Sequence, residues 1–236
     1  MIESKMILIS KGSFILGVPE SPQSVVHQWE KPRKVQLEDY RIAETSVTVG
    51  MFKEFLLEEY ETMPSDFTHL SVHSDDLPAG GLSWLDAVQY ARWIRKKTGK
   101  PYRLPTSDEW EVAARGGLEY SKYPWGNEEP SGRCDYAINK REYPLSVKSF
   151  EPNAYGLYDM VGNIWNWCSD LWINYTFNDP PVNTPTKLSP EMNVILRGGS
   201  FMTVDPNYLM CAYVHEDPPD LRHFSLGMRL ACDIEN

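Results

Sequence analysis

The chain of 236 residues has only four cysteines, Cys134, Cys168, Cys211 and Cys232, and no two of them form a C-x-x-C pair. That sparsity excludes a disulfide scaffold and argues against a structural zinc site, leaving reduced, separate thiols as the expectation. Long apolar runs are also missing. None approaches the roughly 20 residues that a membrane span requires, so no membrane partner is expected. The longest early run, Met6–Ser10, is too short for a signal-peptide core, and Glu3 interrupts the approach to it, which points to a cytoplasmic protein. Basic residues are in deficit: 23 Lys and Arg face 33 Asp and Glu, for a net charge of −10. Such a surface repels phosphate backbones and makes nucleic acid a poor partner, while the dispersed acids read as a solvated exterior. Repeats, low-complexity stretches and linkers are absent as well. With 42% hydrophobic residues, the chain reads as one domain over 1–236.

The first half carries regular signals. Apolar and polar residues alternate around Ile7, Ile9, Phe14 and Leu16 with Lys11-Gly12 between them, which predicts a hairpin over Met6–Gly17. Val35–Ile42 reads as another strand. Thr48 is placed to cap a helix that buries Phe52, Phe55 and Leu56. Ser83 and Asp86 form a capping pair ahead of Val88, Ala91 and Ile94, with Gly99 as the stop. Thr106 and Glu109 form a capping box ahead of Trp110, Ala113 and Ala114, closed by Gly116-Gly117.

After residue 117 turn residues dominate, including Pro124, Gly126-Asn127, Pro130, Pro152-Asn153, Pro180-Pro181, Pro185, Pro190 and Pro218-Pro219. Aromatics are interleaved with them: Trp125, Tyr155, Trp165, Trp167 and Trp172. The pattern predicts a loop-rich half held by buried aromatics, with short strands near 193–202 and 225–232. Loops of this kind need internal polar anchors, because their backbone groups lack regular partners.

Three segments carry a resemblance. They are Arg103-Leu104-Pro105-Thr106 running into Glu109-Trp110 and Gly116-Gly117; Asn153-Ala154-Tyr155-Gly156-Leu157-Tyr158-Asp159 continuing to Val161-Gly162-Asn163-Ile164-Trp165; and Leu196-Arg197-Gly198-Gly199-Ser200-Phe201. Further pieces lie in the same order: Gly12-Ser13-Phe14, Glu30-x-Pro32, Glu44-Thr45-Ser46-Val47-Thr48, Leu82-Ser83-Trp84, Pro124-Trp125-Gly126-Asn127 and Gly227-Met228-Arg229. Together they resemble the formylglycine-generating enzymes, or sulfatase-modifying factors. The resemblance implies an α+β variant of the C-type lectin fold, loop-rich with few short helices and strands.

In those enzymes two cysteines shortly after the Gly-Gly-Ser segment bind copper(I) as thiolates, a soft pair that suits the ion's linear geometry. Their positions fall here on Thr203 and Tyr208, with Val204-Asp205-Pro206-Asn207 between. Copper is therefore not expected, unless Cys211 were recruited together with another thiol. A branch making sulfoxides holds iron(II) on three histidines of an extra helical domain that this chain does not match. His69 and His73, at i, i+4 spacing, and His215 with Asp217 and His223 are the remaining combinations that could approach a metal. The resemblance also implies a calcium site on Asp159, the carbonyls of Gly162 and Ile164, and the position of Asn166, weakened because Asn166 stands where the family has Glu. A second family calcium site, for which only Asn139 is a plausible ligand, is expected to be missing from the shortened loop 138–146.

Arg103, Glu109 and Arg115 read as a buried ion-pair network, with Arg197 and Arg229 in similar roles. The resemblance places Trp165, Ser200, Thr203, Asp205, Tyr208 and Cys211 around a pocket, with His215, Arg222 and His223 at its rim. Three functions compete. One is a ligand- or protein-binding accessory protein that reads a protein or small molecule on the 203–224 surface, as in family members without the cysteines. Another is a non-copper oxidoreductase, of the siderophore-maturation or another metal-dependent type. The third is formylglycine formation itself.

Overall fold

The computed structural model describes residues 3–18, 31–60, 62–172 and 192–234. Glu30 and the prolines at 180, 181, 185 and 190 lie outside the described residues.

The N-terminal strands do not pair with each other. Strand β1 (Met6–Ile9) runs antiparallel to β4 (Tyr40–Ala43), and β2 (Gly12–Leu16) runs antiparallel to β3 (Arg33–Leu37). Ile9 lies opposite Tyr40 and Gly12 opposite Leu37, so one register continues through both ladders. The expected hairpin over Met6–Gly17 is thus one arm of a longer bent ribbon, and the expected strand Val35–Ile42 is the other arm, broken at Glu38-Asp39. The Lys11-Gly12 step is a corner where the amide of Lys11 donates to Oδ1 of Asp39 at 2.6 Å. Local alternation could show strands but not choose their partners, because pairing is decided by burial of Ile9, Leu16, Tyr40 and Ile42 together.

Three helices follow their capping signals. Thr48 accepts from the amide of Met51 at the start of α1 (Val49–Glu59). Full capping boxes open α2 (Trp84–Thr98) and α3 (Ser107–Arg115), and Gly99 and Gly116 close them in the left-handed conformation. The last strand, β10 (Ala231–Asp233), inserts between β4 and β5 (Tyr102–Arg103), giving a sheet of order β1-β4-β10-β5. A second four-stranded sheet has the order β8-β7-β6-β9, from β6 (Trp165–Leu171), β7 (Val194–Arg197), β8 (His215–Asp217) and β9 (Leu226–Met228).

The core forms two apolar clusters. One packs Phe52, Phe55, Tyr90 and Trp93 of α1 and α2, with Phe55 edge to face on Tyr90 and Trp93 and Phe52 stacked on Tyr90. The other surrounds Trp110 and contains Cys134, Cys168 and Cys211. Buried indoles also tether the loops: Trp84 donates to the carbonyl of Cys168 and Trp167 to that of Leu82, each at 2.8 Å. Asn153 donates to the carbonyls of Ala113 and Ala114 and accepts from the amides of Tyr155 and Leu157, so it caps the end of α3 and closes its own loop. These are the polar anchors that a loop-rich half requires.

Two charge networks fix α3, where the sequence suggested one. Arg103 pairs with both oxygens of Glu109, at 2.6 and 2.7 Å. Arg115 instead binds Glu111, which also binds Arg197 at 2.6 Å. Burial pushes the Glu111 carboxyl up, but the guanidiniums of Arg197 and Arg115 outweigh it and hold the group below its usual value. A carboxyl depressed by folding stabilises the protein above its unfolded pKa, and the contribution fades as pH falls through the folded value. Glu111→Gln is expected to cost about 3 kcal/mol at pH 7 and to flatten the loss of stability on the acid side. Urea unfolding at pH 7 and at stepwise lower pH checks both.

Candidate functional site

The 203–224 segment is built on Gly198 and Gly199, with φ of +97° and +73°. A Cβ on Gly199 would sit 2.6 Å from Cδ2 of Leu209, so only glycine lets the 3-10 turn Pro206–Leu209 lie against the Gly-Gly backbone. The neighbouring hydroxyls serve this turn. Ser200 Oγ accepts from the amide of Met202 at 3.2 Å, and Thr203 Oγ1 accepts from the amide of Ser200 at 2.9 Å. Asp205 caps the 3-10 turn by accepting from Asn207 at 2.9 Å. Ser200 and Thr203 are buried, so neither presents its oxygen to a ligand.

Tyr208 does present its side chain. It is 43% exposed, and its ring stacks on Tyr213 at 4.6 Å between centroids. Tyr213 lies 6.4 Å from His215 in nearly parallel orientation, and His215 stacks on Trp165 at 5.2 Å. Four rings therefore form one stack, exposed at Tyr208, half-buried at Tyr213 and His215, and buried at Trp165. Arg197 holds it from below: buried in the core, it donates to the carbonyls of Cys211, Ala212 and Tyr213. Tyr213 was absent from the expected site. Its signal was the i, i+2 spacing to His215 on an extended segment, which puts both rings on one side.

Other expected members lie elsewhere. Cys211 is wholly buried, and burial pushes its thiol up to about 12. His215 approaches Asp217 at 3.5 Å, whereas His223 stacks on Phe224 at 4.3 Å and bonds Ser225. Arg222 is engaged by Asp86 and Asp66. Among the described residues no three His, Cys, Asp or Glu side chains converge as a metal-binding group, so His215, Asp217 and His223 do not form the set considered from sequence.

The segment resembling a calcium site has most of its polar atoms committed within the protein. Asn166 accepts from Trp110 and Arg229 through Oδ1 and donates through Nδ2 to Ser46 and the carbonyl of Ile164. The carbonyl of Gly162 accepts from the amide of Ile164 at 2.7 Å. Asp159 accepts from the amide of Lys148, and burial raises its carboxyl. With the Arg229 cation already at Asn166, this donor set does not fit calcium, which asks for six to eight free oxygens and net negative charge. Addition of a calcium chelator is expected to leave the melting temperature within about 1 °C, because the removed ion would otherwise stabilise by mass action. Thermal scans with and without chelator check this.

Mixed helix and sheet, mostly loop, with a Gly-Gly-supported face define a C-type-lectin-like protein of the formylglycine-generating type. The sulfatase-modifying factor enzyme 1-like domain matches residues 2–234, and the chain belongs to that family. It is 37% identical over 174 residues to the formylglycine-generating enzyme of Thermomonospora curvata, covering 66% of this chain and 55% of that one. It is 42% identical over 108 residues to the inactive C-alpha-formylglycine-generating enzyme 2 of Bos taurus, covering 41% of this chain and 34% of that one. The chain thus spans about half the length of the formylglycine-generating enzymes it matches, or less. Among solved structures, PvdO from Pseudomonas aeruginosa superposes with a TM-score of 0.81 at 24% identity, covering 98% of this chain and 95% of that one.

Proposed function

We propose that this protein is a binding or accessory member of its family, without copper-thiolate chemistry, and that it reads a protein or small-molecule ligand on the Tyr208 face. One observation carries the reading. At the two positions where the family resemblance puts copper-binding thiols, Thr203 is turned inward to hold the backbone and Tyr208 is turned outward into a stack of rings. The nearby thiol, Cys211, is sealed in the core and held protonated by desolvation, whereas copper(I) binds thiolate.

The stack suits recognition. Tyrosine and tryptophan give large contact area at small conformational cost, and they prefer planar or apolar partners. An oxidoreductase would need an acid, base or metal set organised around a reacting atom. Asp205 is occupied as a helix cap and Tyr208 as a stacking ring, so that arrangement is not favoured here. A relative named inactive, 42% identical over 108 residues, supports the reading that a family member can lack the activity.

The test joins two measurements. Purified protein given copper(I), dioxygen and a sulfatase cysteine peptide is expected to form no aldehyde. Peptide and oligosaccharide arrays are expected to yield ligands whose affinity falls roughly tenfold in Tyr208→Ala, the loss typical of an exposed-ring hot spot, with the melting temperature unchanged. Aldehyde formation, or ligands indifferent to Tyr208, would overturn the reading.

A further inference from the structure

A cavity of about 670 Å³, which shares no lining residue with the Tyr208 stack, opens between the 3-10 turn Ser65–Val72, the Leu77–Gly81 loop, residues 142–144 and Arg222–Phe224. Its floor is aliphatic, from Val49, Leu70, Leu77 and Pro78. Flat groups form its walls: His73 meets Tyr143 edge to face at 4.8 Å, and His223 stacks on Phe224 at 4.3 Å. The cavity depends on Gly80-Gly81. A Cβ on Gly81 would meet the His69 ring at 2.8 Å, and one on Gly80 would meet the carbonyl oxygen of Phe224 at 2.2 Å. Two glycines let the histidine and the phenylalanine segment close over the loop.

The imidazoles define what the cavity can hold. His69 Nε2 faces the carbonyl of Gly80 at 3.0 Å, which can only accept, so Nε2 carries the proton and Nδ1 of the neutral ring is an acceptor. The ring nitrogens of His73 make no hydrogen bond to the described residues, so its neutral ring offers another acceptor. His223 Nδ1 accepts from the amide of Ser225 at 3.3 Å, which assigns the proton to its Nε2, a donor. The cations nearby are already paired, and the remaining carboxylate of the lining, Glu142, is exposed to solvent. Arg222 is held by Asp86 and Asp66, and Lys53, beside His73, is held by Asp75. An anion entering this space would lose its hydration without gaining an unpaired counter-charge, and a cation would meet only the solvent-exposed Glu142, so desolvation costs either ion several kcal/mol. Burial is the main cause that holds His73 below its usual value, so its ring favours the neutral form.

We propose that this cavity is a second binding site, for an uncharged planar aromatic or heteroaromatic molecule that carries an O–H or N–H donor. Its volume lies in the range of cavities that enclose small-molecule ligands, and apolar walls with a few polar groups are the usual composition of such sites. The donor meets His69 or His73, the ring lies between Tyr143 and Phe224, and the ligand's acceptor meets Nε2 of His223. This site does not depend on how the Tyr208 face is read.

The test uses 2-naphthol, followed by its own fluorescence at pH 7.5, beside two ionic analogues of the same shape, 2-naphthoate and 2-naphthylmethylammonium. Naphthol is expected to bind saturably, roughly tenfold or more tighter than either ion. His73→Phe keeps a ring but removes the acceptor and is expected to weaken binding about fivefold, the value of one ordinary hydrogen bond. Val72 lines the cavity yet is 82% exposed, so Val72→Trp obstructs the space without touching the core and is expected to abolish binding. Tyr208→Ala is expected to change nothing. No saturable naphthol binding, equal or tighter binding of an ion, binding that survives both cavity variants, or binding lost with Tyr208 would each overturn the proposal.

Discussion

The buried pair between Glu111 and Arg197 is the constraint on which the rest of the functional surface depends. A loop-rich half has few ladders to satisfy its backbone, and this pair supplies what the ladders do not. Glu111 accepts the amide of Gly17 and the guanidinium of Arg115 on one oxygen and Arg197 on the other. Arg197 then donates through Nη1 and Nη2 to three successive carbonyls, Cys211 to Tyr213, while its buried Nε has no partner among the described residues. One helix, the second sheet and the loop beneath the exposed rings are thereby locked together at fully desolvated atoms. Desolvating these charges is costly, so removing either partner leaves the other stranded, which is a larger penalty than the pair's own net worth.

Above that clamp lies the surface on which the proposed binding role rests. Side chains that could perform chemistry are used for structure: Thr203 and Ser200 hold a turn, Asp205 caps one, and Cys211 fills the core. Rings that could contact a partner are left outside. The same scaffold carries a separate imidazole-lined cavity between loops, so the rigid core and the variable contacts are divided among different parts of the chain.

Local features were legible in the sequence and distant ones were not. The helix starts at Thr48, Ser83 and Thr106 are read within four residues, because a cap bonds to an amide two or three positions away. The family resemblance gave the fold, since it rests on ordered segments spread along the chain. Strand partners were invisible: the ribbon joining 6–16 to 33–43 is decided across the chain, and alternation alone also fits a local hairpin. Glu111 went unread because an acid beside Trp110 passes for a surface residue until Arg197 arrives from far downstream, although its i, i+4 relation to Arg115 was a usable sign. His69 and His73 read as an i, i+4 pair that could approach a metal, and only the convergence of three other segments shows the space they border.

The central claim is that Arg197 positions the ring-bearing loop through its carbonyls. Amide hydrogen exchange on Arg197→Met, compared with the unaltered protein, tests it most directly. Protection is expected to fall selectively over 211–216, while the β1–β4 ladder and α2 keep theirs. Unchanged exchange over 211–216, or an even loss throughout the molecule, would contradict the account, since the first denies the clamp and the second makes Arg197 a general stabiliser with no particular hold on the face.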